Sequence, residues 1–199
     1  MARVRNQENY ADSYERLISA GLDLLRSKSF DGVGIGEILE VASVPKGSFY
    51  HYFKSKDDFG LAVADAYHDD LFDLVRSFVS RETASPYENL RAFFEAALEG
   101  FEAREFSDGC LMSNLSSELA DQKDSFGQQL AGHWRVLTGL IAESIDHACL
   151  EQFGLPHLSS QEAADLLMNS WAGALTRMKA ERNENPLKLF LKAHFERGE

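Results

Sequence analysis

Hydrophobic residues recur every three to four positions along most of this chain, which is the period of an α-helix, and strand-like alternation is almost absent. The pattern predicts nine helices, with approximate extents of 14–27, 35–42, 46–53, 56–78, 86–101, 110–121, 124–150, 160–182 and 187–195. We therefore expect an all-α protein of about nine helices.

Serine and proline mark the starts of several of these helices. The segment 85–88, SPYE, combines an N-cap serine, a proline at the first helical position and a glutamate at the third. The segment 159–162, SSQE, has the same spacing of serine and glutamate, 55–58 resembles such a capping box, and an Asn-Pro pair at 185–186 precedes the last helix. These local signals support the predicted helix starts.

The two short helices at 35–42 and 46–53 are separated by a turn at 43–45 and follow a longer helix. This arrangement is typical of a helix-turn-helix unit, in which the second short helix enters the major groove of DNA. Phe49 and Phe53 are four residues apart and are predicted to face the interior as the anchor of that helix. The pattern thus predicts a DNA-binding unit near the N-terminus.

Composition limits the class of protein. The 199 residues are 44% hydrophobic, which is typical of a globular chain, and they include only two cysteines, Cys110 and Cys149. No Cys/His cluster has zinc-ligand spacing, so neither a disulfide framework nor a metal or cofactor site is expected. No segment has the apolar run of a signal peptide or a membrane span, which predicts a reduced, cytoplasmic protein without membrane contact.

The net charge of −12 argues at first against nucleic-acid binding, because phosphates repel an acidic protein. The charge is uneven, however: residues 1–56 hold eight Lys or Arg and seven Asp or Glu, whereas 57–199 hold twelve and twenty-five. The segment 45–56, PKGSFYHYFKSK, contains three lysines and no acid. We therefore predict a DNA-binding domain at 1–56 and a second, acidic helical domain at 57–199.

Side chains in and after the second short helix can donate hydrogen bonds to phosphates or base edges. The candidates for DNA contact are Lys46, Gly47, Ser48, Tyr50, His51, Tyr52, Lys54 and Lys56. Gly47 would let the backbone approach a phosphate closely, and Arg3 and Arg5 would form a flexible arm along the DNA. The alternative is that Tyr50 and Tyr52 simply pack against the core of the domain.

The segment 33–63, VGIGEILEVASVPKGSFYHYFKSKDDFGLAV, resembles the DNA-binding domain of the tetracycline-repressor (TetR) family. The matching positions are Val44, Gly47, Ser48, Phe49, Tyr50, Tyr52, Phe53, Lys54 and Lys56. The resemblance implies an all-helical homodimer that binds palindromic operator DNA as a repressor and is released by a small-molecule ligand. One departure is Gly34 and Gly36, where many relatives have Thr and Arg, so DNA contacts from the preceding helix are in doubt.

The segment 108–120, DGCLMSNLSSELA, is similar to a Gly-Cys-Leu motif of the N-ethylmaleimide-responsive (NemR-like) subgroup, in which some members sense electrophiles or oxidants through this cysteine. Cys110 is predicted at a helix N-terminus, where backbone N–H groups and the helix dipole favour a thiolate. Asp108 disfavours the thiolate, and Lys179 could lie in the same pocket and offset that carboxylate. The alternative is a buried, inert cysteine, which is the role predicted for Cys149.

The second domain offers candidates for an effector cavity and a dimer interface. Trp134 and Trp171 could line a cavity between helices, with ordinary core packing as the alternative, and His133 and His147 could contact a ligand but match no metal motif. The last two helices present apolar faces wide enough for a two-fold dimer interface, although part of this surface must cover the core of the protomer. The apolar residues concerned are Leu166, Leu167, Trp171, Leu175, Leu187, Phe190, Leu191 and Phe195.

These observations predict a ligand- or electrophile-responsive transcriptional repressor, released from its operator by effector binding or by modification of Cys110. Two alternatives stay open: a peroxidase- or reductase-like thiol enzyme that uses Cys110, and a protein-interaction module of the same fold without DNA binding. The sequence has no phosphate-binding glycine loop, no nucleophile elbow and no distinguishable pair of catalytic carboxylates. We therefore assign no catalytic residue and do not expect an enzyme.

Overall fold

Ten α-helices and no β-strand occupy the part of the chain that the computed structural model describes, which is residues 2–82 and 84–196, with side chains from Tyr10 onward. The helices are α1 (Ala2–Ser27), α2 (Ile35–Val41), α3 (Phe49–Tyr52), α4 (Lys56–Val79), α5 (Pro86–Glu102), α6 (Leu111–Leu119), α7 (Asp124–Ser144), α8 (His147–Phe153), α9 (Ser160–Glu181) and α10 (Asn185–Phe195). The all-α prediction is confirmed. No described helix is long and apolar enough to cross a membrane.

The prediction of one continuous helix over 124–150 is wrong. The backbone of Ile145 is extended, and the carboxylate of Asp146 accepts a hydrogen bond from the Cys149 N–H at 2.7 Å, so Asp146 is the N-cap of a separate helix. This second helix ends at Gly154, whose φ of 66° is the left-handed conformation that glycine adopts without steric strain. The break accounts for the tenth helix.

The second short helix is also shorter than predicted. Residues 46–48 form a turn, in which the Ser48 N–H donates to the Pro45 carbonyl at 2.9 Å, and α3 covers only the four residues from Phe49 to Tyr52. The predicted helix starts are otherwise close to those observed. Ser85 and Ser159 form complete capping boxes, and Ser55 accepts a hydrogen bond from the Asp58 N–H at 3.0 Å.

The three N-terminal helices and the start of α4 share an aromatic core. Phe49 and Phe53 are buried, and their ring centroids lie 5.6 and 5.1 Å from that of Phe59 on α4. The backbone of α1 comes close to α4 at Gly21, where a Cβ atom would lie 2.5 Å from Val63. Helix α4 therefore belongs to the core of the N-terminal unit (α1–α3) and continues from it into the rest of the protein.

The body of the protein consists of α5–α10 with the rest of α4, and α9 packs against both α7 and α10. Phe94 lies at its centre, 5.0 Å from the Trp171 ring and 4.8 Å from that of Phe190. Most of the apolar residues named above for a dimer interface are buried inside the protomer, since only Leu166 of that set is exposed. Their apolar character therefore reflects core packing.

Candidate nucleic-acid interface and cysteine cavity

The turn between α2 and α3 is fixed by hydrogen bonds at the end of α2. Ser43 has a φ of 53°, its N–H donates to the Glu40 carbonyl, and the Val44 N–H donates to the Leu39 carbonyl, which is the Schellman pattern of a helix end. The guanidinium of Arg16 on α1 donates to the carbonyls of Ala42 and Ser43 at 3.3 and 3.2 Å. The chain that leads into α3 is thus held in place from α1.

Helix α3 turns its phenylalanines inward, as predicted, and exposes polar and aromatic side chains on its other side. Tyr50 is 69% exposed, and the flanking Lys46, His51 and Lys54 are exposed as well. A Cβ atom at Gly47 would meet nothing within 4 Å, so the packing of this protein does not require glycine there. The free space at Gly47 is available to a partner that approaches the backbone.

Two of the predicted DNA contacts have partners within the protein. The Tyr52 ring lies 4.5 Å from the Tyr10 ring on α1 and is partly buried, so Tyr52 has at least in part a packing role. The Lys56 ammonium lies over the Phe30 ring, 4.5 Å from its centre, and the side chain is half-buried. Ser48, the N-cap residue of α3, is half-buried as well.

The backbone at Arg3 and Arg5 belongs to α1, and their side chains lie outside the described residues, so the predicted arm has no side-chain contacts to report.

Cys110 is the N-cap residue of α6 and is buried, with 7% of its surface exposed. It lines a cavity of about 240 Å³ between α4, α5, α6, α7 and α9. Trp134 and Trp171 line the same cavity, as expected for an effector site, and Trp134 also donates its indole N–H to the Ser116 hydroxyl at 3.2 Å. Sequence reasoning missed Tyr67, Arg26 and Arg104, which line it too.

Tyr67 on α4 lies next to the cysteine, and both line this cavity. Its phenol is close enough to the Cys110 side chain and to the Leu111 N–H at the start of α6 for both to affect its pKa. Burial, together with the neighbouring Cys110, raises the pKa of Tyr67 well above its ordinary value, while Arg26, 5.1 Å from the ring centre, acts in the opposite direction. The phenol is therefore neutral and keeps a proton to donate to the sulfur.

The expectation that Lys179 offsets Asp108 is not met. The buried Asp108 carboxylate pairs instead with the Arg104 guanidinium, which donates to both oxygens at 3.1 and 2.9 Å. Lys179 lines a second, more polar cavity of about 440 Å³, which shares Gly109 and Cys110 with the first. Cys110 therefore lies between two cavities, with Trp134 and Trp171 on one side and Lys179 on the other.

The other cysteine is placed differently. Cys149 is almost fully buried, and burial together with the nearby Asp146 carboxylate raises its pKa to about 12. The thiol is therefore protonated at neutral pH, and a protonated thiol is a poor nucleophile.

Two histidines stack between α4 and α7. The rings of His68 and His133 lie 4.3 Å apart and nearly parallel, and His133 is within 2.9 Å of the Asp65 carboxylate. Burial and the neighbouring His68 lower the pKa of His133, in opposition to Asp65. His147 is exposed and lies 3.5 Å from Glu151. Within residues 2–82 and 84–196 no group of His, Cys, Asp and Glu is arranged to hold a metal ion.

Two family models match successive parts of the chain. A model of the family described as "Bacterial regulatory proteins, tetR family" matches residues 17–63, and one described as "Tetracyclin repressor-like, C-terminal domain" matches 86–194. The chain is 36% identical over 195 residues to the transcriptional regulator AcuR of Cereibacter sphaeroides, covering 94% of this chain and 86% of AcuR. It is 30% identical over 191 residues to the transcriptional repressor NemR of Escherichia coli, covering 92% of each.

Solved structures show the same similarity. The regulatory protein TetR from Rhodobacter sphaeroides superposes with a TM-score of 0.85 and 34% identity, over 92% of this chain and 96% of that one. The reduced form of E. coli NemR superposes with a TM-score of 0.77 and 26% identity over the same shares.

Proposed function

Because this chain belongs to the tetR family of bacterial regulatory proteins, and is a DNA-binding transcriptional regulator, we propose that it is a homodimeric repressor that leaves its operator when an electrophile modifies Cys110. The observation that carries this proposal is the position of Cys110, at the start of α6 and in one cavity with Tyr67 of α4. The names of the relatives, which are regulators and repressors, support this function over a thiol enzyme or a protein-interaction module.

The proposed DNA contact is the exposed face of the segment from Lys46 to Lys54, with Tyr50 at its centre. Lysine ammonium groups would bind phosphates and fix the position on the duplex, while Tyr50 and His51 reach base edges in the major groove. Gly47 supports this proposal because nothing fills the space beside it. A cytoplasmic location is part of the same proposal, since the operator DNA of a bacterial regulator lies there.

The proposed dimer pairs α9 and α10 of two protomers around a two-fold axis, as expected for helical faces that meet in a four-helix arrangement. This proposal is supported by the apolar side chains of α9 and α10 that stay exposed in the protomer. Leu189 is 59% exposed and Leu166 is 38% exposed, and a shallow cavity beside Leu189 is lined by Pro186, Ala193 and Arg177.

The proposed sensing reaction is addition of the Cys110 sulfur to an activated carbon–carbon double bond. The thiol first loses its proton to water. The thiolate then forms a carbon–sulfur bond as the π bond breaks, and the neighbouring carbon takes up a proton from water. The Tyr67 phenol assists because a hydrogen bond to the charged form stabilises the thiolate. The cavity of about 240 Å³ and its tryptophan walls favour a small organic electrophile.

The proposed link to DNA is Tyr67. An adduct on Cys110 occupies the space of the phenol and displaces it from the start of α6. Helix α4 carries both Tyr67 and Phe59, and Phe59 packs against Phe49 of α3 in the core of the N-terminal unit. A displacement of α4 at Tyr67 therefore changes the orientation of α3 relative to the body. Two recognition helices that no longer match successive major grooves bind the operator less tightly.

The test uses N-ethylmaleimide as the electrophile and an operator duplex selected by the purified protein from random-sequence DNA. The wild-type protein and Cys149→Ser are expected to bind the duplex and to release it as one adduct per chain accumulates on Cys110, measured by gel shift and mass spectrometry. Cys110→Ser is expected to bind equally well and to stay bound. Release of Cys110→Ser by the maleimide would contradict the sensing role.

A further inference from the structure

The far end of α6 holds the loop that joins α1 to α2. The Glu118 carboxylate, in the last turn of α6, accepts hydrogen bonds from the backbone N–H groups of Phe30 and Asp31, one on each oxygen, at 2.9 and 3.0 Å. The partners are 87 and 88 residues apart in sequence. A side chain of the body thus binds the backbone of the N-terminal unit at two points.

The same loop is fixed by packing. The Phe30 side chain is 1% exposed, and its ring lies 5.4 Å from that of Phe126 on α7, edge to face. The ammonium groups of Lys56 and Lys123 lie 4.5 and 5.0 Å from the centre of the Phe30 ring, and Lys123 pairs with Asp57 at 2.5 Å. Because Phe30 cannot shift freely, the two N–H groups stay aimed at Glu118.

Helix α6 connects the cysteine with this loop. Cys110 caps its first turn and Glu118 lies eight residues later, so at 1.5 Å per residue the two positions are about 12 Å apart. A short helix moves as a rigid body, and a shift at one end is carried to the other. The cavity and the N-terminal unit are therefore joined by one element as well as through α4.

We propose that Glu118 is a positioning residue for DNA binding, which sets the orientation of α2 and α3 on the body by holding the Phe30 and Asp31 N–H groups. Only a carboxylate has two equivalent acceptor oxygens, whereas an amide has one acceptor and one donor. Glu118→Gln therefore keeps the shape of the side chain and loses one of the two hydrogen bonds. The N-terminal unit then moves more freely and must be ordered again on the operator.

The test compares Glu118→Gln with Glu102→Gln, which removes the same charge from an exposed position at the end of α5. Without electrophile, Glu118→Gln is expected to bind the operator duplex about tenfold more weakly, because the lost preorganisation opposes binding of both half-sites. Amide exchange at Phe30 and Asp31, followed by NMR, is expected to accelerate about tenfold or more. Glu102→Gln is expected to stay within about twofold of the wild type in both measurements.

A second variant separates geometry from charge. Glu118→Asp keeps the carboxylate but is one methylene shorter. It is therefore expected to weaken operator binding as much as Glu118→Gln does, while its melting temperature stays close to that of the wild type. Wild-type affinity and wild-type exchange at Phe30 and Asp31 in both Glu118 variants would overturn the proposal. An equal loss of operator affinity in Glu118→Gln and Glu102→Gln would also overturn the proposal, since the removal of one negative charge would then explain both results.

These measurements are made on unmodified protein. The proposal rests on the proposed function only in taking operator affinity as a readout. If Cys110 does not sense electrophiles, release by N-ethylmaleimide fails in the wild type while the Glu118 comparison is unaffected. If Glu118 does not position the N-terminal unit, the Glu118 variants bind the operator as tightly as the wild type does, while release by N-ethylmaleimide still depends on Cys110.

Discussion

Gly60 lies where α4 passes under the loop held by Glu118, and replacing it by alanine tests how tightly that junction is packed. A Cβ atom there would overlap Cε2 of Phe30 and lie 2.9 Å from Cζ of Phe126. Both rings are almost fully buried, so neither can move aside without disturbing its neighbours. Gly60→Ala is therefore expected to strain the contact between the N-terminal unit and the body.

The size of the effect follows from two opposing contributions. An extra methyl group in a packed core typically costs about 1–3 kcal/mol, and replacing glycine by alanine inside a helix stabilises it by about 1 kcal/mol. Gly132→Ala on α7 is the matched control, because a Cβ atom there would meet nothing within 4 Å and only the helix gain remains. The free energies of unfolding of the two variants should thus differ by about 1–3 kcal/mol.

Thermal unfolding followed by circular dichroism measures this difference. At about 2–4 °C per kcal/mol for a chain of this size, Gly60→Ala should melt about 2–12 °C below Gly132→Ala. Protein concentration must be the same in both samples, because dimerisation shifts the melting temperature. Equal melting temperatures would refute the claim that the junction has no room for a methyl group.

Other predictions concern the two functional surfaces and the histidine pair. Tyr50→Ala should weaken operator binding by about 1–3 kcal/mol, or roughly 5- to 150-fold. The melting temperature should not change, because Tyr50 is exposed and its ring touches only the edge of the core at Phe49; full affinity in a gel shift would remove Tyr50 from the interface. Tyr67→Phe should slow alkylation of Cys110 by about tenfold, because the thiolate loses a hydrogen-bond donor, and mass spectrometry over time gives the rate; an unchanged rate would contradict that role. The lowered pKa of His133 means that the unfolded chain takes up a proton near its ordinary value of 6.5 while the folded protein does not. The free energy of unfolding should therefore fall as the pH drops below about 6.5, and a His133→Asn variant, unfolded with urea across this range, should show a flatter pH dependence.

The helices and their starts could be predicted because the signals are local. A serine three residues before a glutamate caps a helix wherever the rest of the chain goes, as at Ser85 and Ser159. The break before α8 was missed although its signal is local too: Asp146 caps the next helix, but the apolar period continues through the break. Periodicity alone does not reveal a change in helix axis.

The cysteine site could be predicted only in part. The sequence predicted Cys110 at a helix start and Trp134 and Trp171 as candidates for lining a cavity between helices. All three line one cavity in the structure. It assigned the wrong partner to Asp108, because Arg104 lies outside any helix and its reach depends on the loop geometry between α5 and α6.

The sequence by itself determined the helical pattern, the basic segment at 45–56 within an acidic chain and the family to which the protein belongs, because each depends on residues that are neighbours along the chain. Only the tertiary structure decided that Tyr67 meets Cys110 and that Glu118 holds the N–H groups of Phe30 and Asp31. The physical reason is that these contacts join residues 43 to 88 positions apart, and their geometry is set by how whole helices pack against one another rather than by any local preference of the chain.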